Sequence, residues 1–267
     1  MIVLTAAAAT AAAITAATSA SVPRVGGTCA RTVVDGRVDA LLCRPPSGRA
    51  SVGAVVLHGC SGFGSIDTRV AKGLPRAGIA TLYVDYFALT PQQRPREFCN
   101  SSEAVTRALP TWQNIVLAAA LKLRRAASVR ARRVAVVGYS LGASLALLAA
   151  EYGARPLTGP PVARSPFDAA VAFSAGAFEA VVSHAASLPP TLVLSGGDRD
   201  IVPVASSTQL YRSIKAAGVP AELYVYPHGD HLWLGRQGAA GFRRARAFLR
   251  RYLVRVRSGA DGRRAVA

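Results

Sequence analysis

The run Val134-Ala135-Val136-Val137 leads directly into Gly138-Tyr139-Ser140-Leu141-Gly142, and residues 143–152 follow as a series of good helix formers. A short, continuous, valine-rich stretch is what a strand buried on both faces requires. Gly-x-Ser-x-Gly between such a strand and a helix forms a sharp turn. The two glycines let strand and helix approach each other, and the serine points out over the sheet edge in a strained backbone conformation. Five residues of this kind recur by chance, so the motif takes its meaning from the strand before it and the helix after it. In that context Ser140 reads as a nucleophile rather than a capping serine.

The rest of the chain fits a sheet around this element. Apolar runs at 52–57, 79–84, 169–173, 191–194 and 221–226 read as strands. Segments 28–34 and 38–44, joined through Asp35-Gly36, read as a hairpin. Helices are expected at 66–77, disturbed by Pro75, at 101–127, broken by Pro110, and at 204–217 and 241–254. Strands alternating with helices imply an α/β fold, a mostly parallel doubly wound sheet with helices on both faces. With 267 residues and 51% hydrophobic content, a single domain over 25–257 has ample core, and a basic tail, 258–267, follows it.

The net charge is +18, almost wholly from arginine, since lysine occurs only at Lys72, Lys122 and Lys215. The arginines are spread along the chain without a nucleic-acid motif or interleaved aromatics, so a nucleic-acid partner is not expected. Residues 1–20 carry no charged side chain and end in Thr18-Ser19-Ala20. That pattern reads as an export signal cut after Ala20, which makes the protein secreted or periplasmic; the alternative is a cytoplasmic protein with an alanine-rich tail. No other run would insert stably in a bilayer. Four cysteines permit two disulfides. A three-residue hairpin loop would set Cys29 opposite Cys43, whereas a two-residue loop would put them on opposite faces.

A serine hydroxyl needs a base to take its proton and a carboxylate to orient that base. After the last strand comes Tyr226-Pro227-His228-Gly229-Asp230-His231, and after the strand before it Gly197-Asp198-Arg199-Asp200. Among only four histidines in the chain, His231 is the favoured base and His228 the fallback. Asp200 is the favoured acid and Asp198 the alternative. The oxyanion formed on attack needs two fixed N–H donors, for which the backbones of Leu141 and Cys60 are the candidates.

With these motifs in this order, residues 50–255 resemble the dienelactone hydrolase family of α/β-hydrolases. The resemblance rests on His58-Gly59-Cys60-Ser61-Gly62, Val84-Asp85-Tyr86-Phe87, Gly138-Tyr139-Ser140-Leu141-Gly142, Gly197-Asp198-Arg199-Asp200-Ile201-Val202-Pro203 and the histidine loop. It implies an α/β-hydrolase fold and hydrolysis of carboxylic esters or lactones through an acyl-enzyme. It also implies Ser140, Asp200 and His231 as the triad, with no metal or organic cofactor. The enzymes that name the family use cysteine as nucleophile. Serine here moves the reading toward a serine esterase acting on a small-molecule ester. The other readings are a small serine peptidase or amidase, and a non-catalytic, envelope-associated binding protein. Phe63, Tyr86, Phe87, Tyr139, Phe178 and Trp233 are candidates for an apolar pocket or for core.

Overall fold

The computed structural model describes residues 28–89, 99, 102–151, 165–176 and 184–254. The expected export segment 1–20, the tail 258–267, Phe178 and most of the loop at 88–100 lie outside them. In chain order the main elements are β1 (Cys29–Val34), β2 (Val38–Cys43), β3 (Val52–Leu57), α1 (Ser65–Gly73), β4 (Ala80–Val84), α2 (Ser102–Arg125) and β5 (Arg133–Tyr139). Then come α3 (Leu141–Ala150), β6 (Ala169–Phe173), β7 (Thr191–Ser195), α4 (Val204–Ala216), β8 (Ala221–Val225) and α5 (Gly235–Leu253).

The strands form one eight-stranded sheet in the order β1-β2-β4-β3-β5-β6-β7-β8. From β4 to β8 all neighbours are parallel, while β1 and β2 add an antiparallel edge. The chain goes from β3 to β4 on one side, then to β5 on the other. The carboxyl ends of β3 and β5 therefore splay at a topological switch point, where such sheets bind ligands.

Alternation along the central strands feeds two cores. Val55, Leu57, Val134 and Val136 face one layer with α2, α3 and α4; Ala54, Val56, Ala135 and Val137 face the other with α1 and α5. The doubly wound α/β expectation holds.

Two expectations about elements are corrected, and the expected disturbance of the helix at 66–77 by Pro75 is met. Pro110 sits inside one continuous helix, α2, rather than breaking it. The bond lost at an interior proline costs about 3 kcal/mol. Trp112, Ile115, Val116 and Leu123 on the inner face of α2 are buried, at about 1.5–3 kcal/mol each for large apolar side chains, which outweighs that cost. Pro75 ends α1 early, and a single 3₁₀ turn, Pro75–Ala77, follows. The last helix starts at Gly235, six residues ahead of the expected 241.

The hairpin turns through Asp35 and Gly36, both at positive φ, with the Arg37 N–H on the Val34 carbonyl. Val34 pairs with Val38 across a three-residue loop, so Cys29 stands opposite Cys43, and the two are bonded. A second disulfide joins Cys60 to Cys99. No helix among the described residues is long and apolar enough to cross a membrane.

Candidate active site

Strand β5 delivers Ser140 at φ 54°, ψ −123°, a conformation costing an L-residue about 1–3 kcal/mol. Close packing on both sides holds it there. A Cβ on Gly138 would lie 2.1 Å from the Gly142 carbonyl oxygen, and one on Gly142 would lie 2.2 Å from that of His58. Only glycine fits at either position. The Ser140 N–H is also tied to the Phe173 carbonyl at 2.8 Å.

His231 Nε2 lies 3.0 Å from Ser140 Oγ, and its Nδ1 lies 2.7 Å from Asp200 Oδ1. A carboxylate accepts only, so Nδ1 carries the proton and Nε2 is left to receive the serine's. The loops bearing His231 and Asp200 are laced together through their backbones. Gly197 N–H donates to Gly229 O, and Asp198 N–H to Pro227 O. A Cβ on Gly197 would come within 1.9 Å of Pro227 O. Tyr139 OH donates to the His231 carbonyl at 2.8 Å, and Asp230 Oδ1 accepts the N–H groups of Leu232 and Trp233.

The Asp200 side chain is wholly buried and that of His231 is 13% exposed. Burial raises the Asp200 carboxyl, but hydrogen bonds from His231, Ser174 and the Val202 N–H together outweigh it and hold the group below the ordinary carboxylate range. A fourth donor, the Gly196 N–H, reaches Oδ2 at 2.9 Å. The fallback pair is elsewhere in character. His228 Nδ1 meets Asp198 Oδ2 at 3.3 Å on the surface, with side chains 88% and 62% exposed.

Cys60 follows Gly59, whose Cβ position abuts the Tyr139 ring at 2.8 Å and Ser140 Cβ at 3.2 Å. The loop from β3 thus runs alongside Ser140. Among the described residues neither the Cys60 nor the Leu141 N–H has a backbone acceptor. Leu141 N–H is one of the free donors at the start of α3, where the helix dipole favours negative charge. The loop is fixed from below by His58, which is fully buried and stacked on Tyr86. Its Nδ1–H donates to Gly59 O at 2.8 Å, its Nε2 faces Asp85 Oδ1 at 3.4 Å, and its carbonyl accepts from Tyr86 OH. Cys60 is further anchored by its bond to Cys99.

Of the aromatics, Tyr86 and Trp233 are core, Tyr139 is nearly so, and Phe63 and Phe87 are partly buried. Leu232, next to His231 in the chain, is 58% exposed, and the ring that lies against His231 is that of Tyr139, with centroids 5.2 Å apart. Sequence reasoning missed Ser174, Asp85 and Asp230. Asp85 and Asp230 stand inside motifs quoted above but without a role of their own, and Ser174 is a single small residue at a strand end that no local pattern marks. Among the described residues, no three His, Cys, Asp or Glu side chains converge to hold a metal ion.

The model of the dienelactone hydrolase family matches residues 38–250. Est1E from Butyrivibrio proteoclasticus is similar in structure at a TM-score of 0.63 and 16% identity, over 86% of this chain and 100% of that one. A dienelactone hydrolase from Anabaena variabilis is similar at a TM-score of 0.63 and 20% identity, over 85% and 100%. The acylaminoacyl peptidase of Pyrococcus horikoshii is similar at 0.62 and 15%, over 87% of this chain and 42% of that one. At these identities the likeness is one of fold. A search among curated proteins returns no match.

Proposed function

The chain belongs to the dienelactone hydrolase family, and from that premise we propose that it hydrolyses small carboxylic esters or lactones through an acyl-enzyme on Ser140. The observation that carries this reading is the line from Ser140 Oγ to His231 Nε2 at 3.0 Å and from His231 Nδ1 to buried Asp200 at 2.7 Å. His231 takes the Ser140 proton as Oγ attacks the ester carbonyl. The Cys60 and Leu141 N–H groups hold the resulting oxyanion, at about 3 kcal/mol of barrier for each donor. The tetrahedral intermediate collapses, and His231 returns its proton to the departing alcohol oxygen. A water, deprotonated by His231, then attacks the acyl carbonyl, and Ser140 leaves with the proton as the acid is released. Asp200 fixes the tautomer and stabilises the imidazolium.

Turnover of p-nitrophenyl acetate by the wild type, abolished in Ser140→Ala, tests the reading. Equal turnover by the variant would reject it. The same arrangement serves amides, so a p-nitroanilide in the same assay separates esterase from amidase. Two disulfides suit an oxidising compartment and, with the uncharged segment 1–20, favour export. N-terminal sequencing of protein recovered outside the cytoplasm should then begin at Ser21; recovery of the intact chain in the cytoplasm alone would reject export.

A further inference from the structure

Ser174 stands at the end of β6, fully buried and at φ 51°. Its hydroxyl has two neighbours. Trp233 Nε1 lies 2.8 Å away, and Asp200 Oδ2 is in hydrogen-bond contact on the other side. An indole N–H can only donate, so it occupies the acceptor side of the serine oxygen. The single hydroxyl proton is left for the carboxylate. Trp233 therefore sets the direction of the Ser174 hydroxyl, and that hydroxyl caps the face of Asp200 turned away from His231.

Trp233 is itself clamped. It is fully buried, lies edge-on to Phe173 and Tyr226, and takes φ 53°. Helix α5 presses on it through two glycines. A Cβ on Gly238 would meet its carbonyl oxygen at 1.9 Å, and one on Gly241 its ring at 2.7 Å. Two non-glycine residues held at positive φ in contact with each other signal a conformation that the surroundings impose. Trp233 is also two residues beyond His231. A closed ring results: His231 to Trp233 along the chain, then by hydrogen bonds to Ser174, to Asp200, and back to His231.

We propose that Ser174 and Trp233 are positioning residues, a ring closure that holds Asp200 against His231 and keeps the histidine from swinging out of line with Ser140. The proposal rests on the serine-hydrolase reading of the same site. The carboxylate has two donors on each oxygen: His231 and Val202 on Oδ1, Ser174 and Gly196 on Oδ2. Removing Ser174 leaves Oδ2 with the Gly196 N–H alone and loosens the hold on the carboxylate that faces His231.

The decisive variant is Ser174→Gly. Glycine is at ease at φ 51°, so the fold should tolerate the change, while the hydroxyl is lost. Trp233→Phe is the companion, removing the N–H and keeping most of the ring. With p-nitrophenyl acetate, Ser174→Gly should lower kcat by about 10- to 100-fold, the worth of one hydrogen bond to a charged group, and Trp233→Phe, which loses a bond to a neutral hydroxyl, by about 2- to 10-fold, with KM little changed in both. The acid limb of kcat/KM should also move to higher pH, because a carboxylate stripped of a donor draws the imidazole proton more strongly. A folded Ser174→Gly with the wild-type rate overturns the proposal, as does one that is slower with its acid limb unmoved. Should the wild type itself lack Ser140-dependent turnover, the esterase reading fails first, and the two failures are thereby told apart.

Discussion

The backbone of Gly142 rests on the backbone of His58: a Cβ at Gly142 would stand 2.2 Å from the His58 carbonyl oxygen and 2.9 Å from that of Leu57. Through this contact the first turn of α3 lies against the exit of β3, and the two candidate oxyanion donors, Leu141 and Cys60, flank Ser140. Gly142→Ala ought to gain about 1 kcal/mol of helix propensity in open space. Here the opposing atoms are main chain and cannot yield cheaply. The variant is expected to lose about 1–3 kcal/mol of stability and at least tenfold in kcat. Urea unfolding and ester turnover on one preparation check both numbers.

Asp200→Asn should reduce kcat by about 10⁴-fold, because an amide facing Nδ1 favours the wrong imidazole tautomer. His228→Ala and Asp198→Asn should stay within about twofold of wild type, since exposed surface pairs contribute little. Steady-state kinetics of the three variants separates the buried pair from the exposed one. Comparable losses in all three would leave the assignment of base and acid without support.

The two disulfides should separate by function. Cys29–Cys43 closes 14 residues of an edge hairpin, and Cys60–Cys99 spans 39 and holds the loop beside Ser140. By chain entropy they contribute about 3 and about 4 kcal/mol to stability. The double variant Cys29→Ser, Cys43→Ser should melt earlier with unchanged kcat. Cys99→Ser should melt earlier and also lose kcat, because Cys60 N–H would no longer be held in place. Thermal melts and kinetics of both variants decide this.

Burial pushes the Glu151 carboxyl up to about 7, with His184 pulling the other way. Its Oε1 has no hydrogen-bond partner among the described residues. Because the folded state holds this proton more tightly than the unfolded chain, the stability it contributes is full below the ordinary glutamate value. That stability falls as pH rises and is gone above about 7. Glu151→Gln, which carries no charge at any pH, should flatten the decline. Melting temperatures from pH 4 to 8 should show the variant matching wild type at the acid end and exceeding it at the alkaline end.

Much of this architecture is written locally. The valine runs of β3 and β5 declare central strands, and the glycines around Ser140 declare a close approach. Asp200 and His231 follow strand ends where a serine nucleophile needs them. Other parts depend on tertiary contact. The expected helix begins at 241, yet α5 starts at Gly235, and the bare backbones of Gly238 and Gly241 let it close over Trp233. Pro110 reads as a break, yet the buried face of α2 carries the helix through it. Ser174 is one small residue at a strand end, and its contact with Trp233 spans 59 positions.

The central claim is that Ser140 is the activated nucleophile. Treatment with a fluorophosphonate, followed by peptide mass mapping, tests it most directly. A single stoichiometric adduct on Ser140 is predicted, formed at least a hundredfold more slowly in His231→Ala, roughly the low end of what a positioned base contributes. An unlabelled Ser140, or labelling indifferent to His231, would contradict the account.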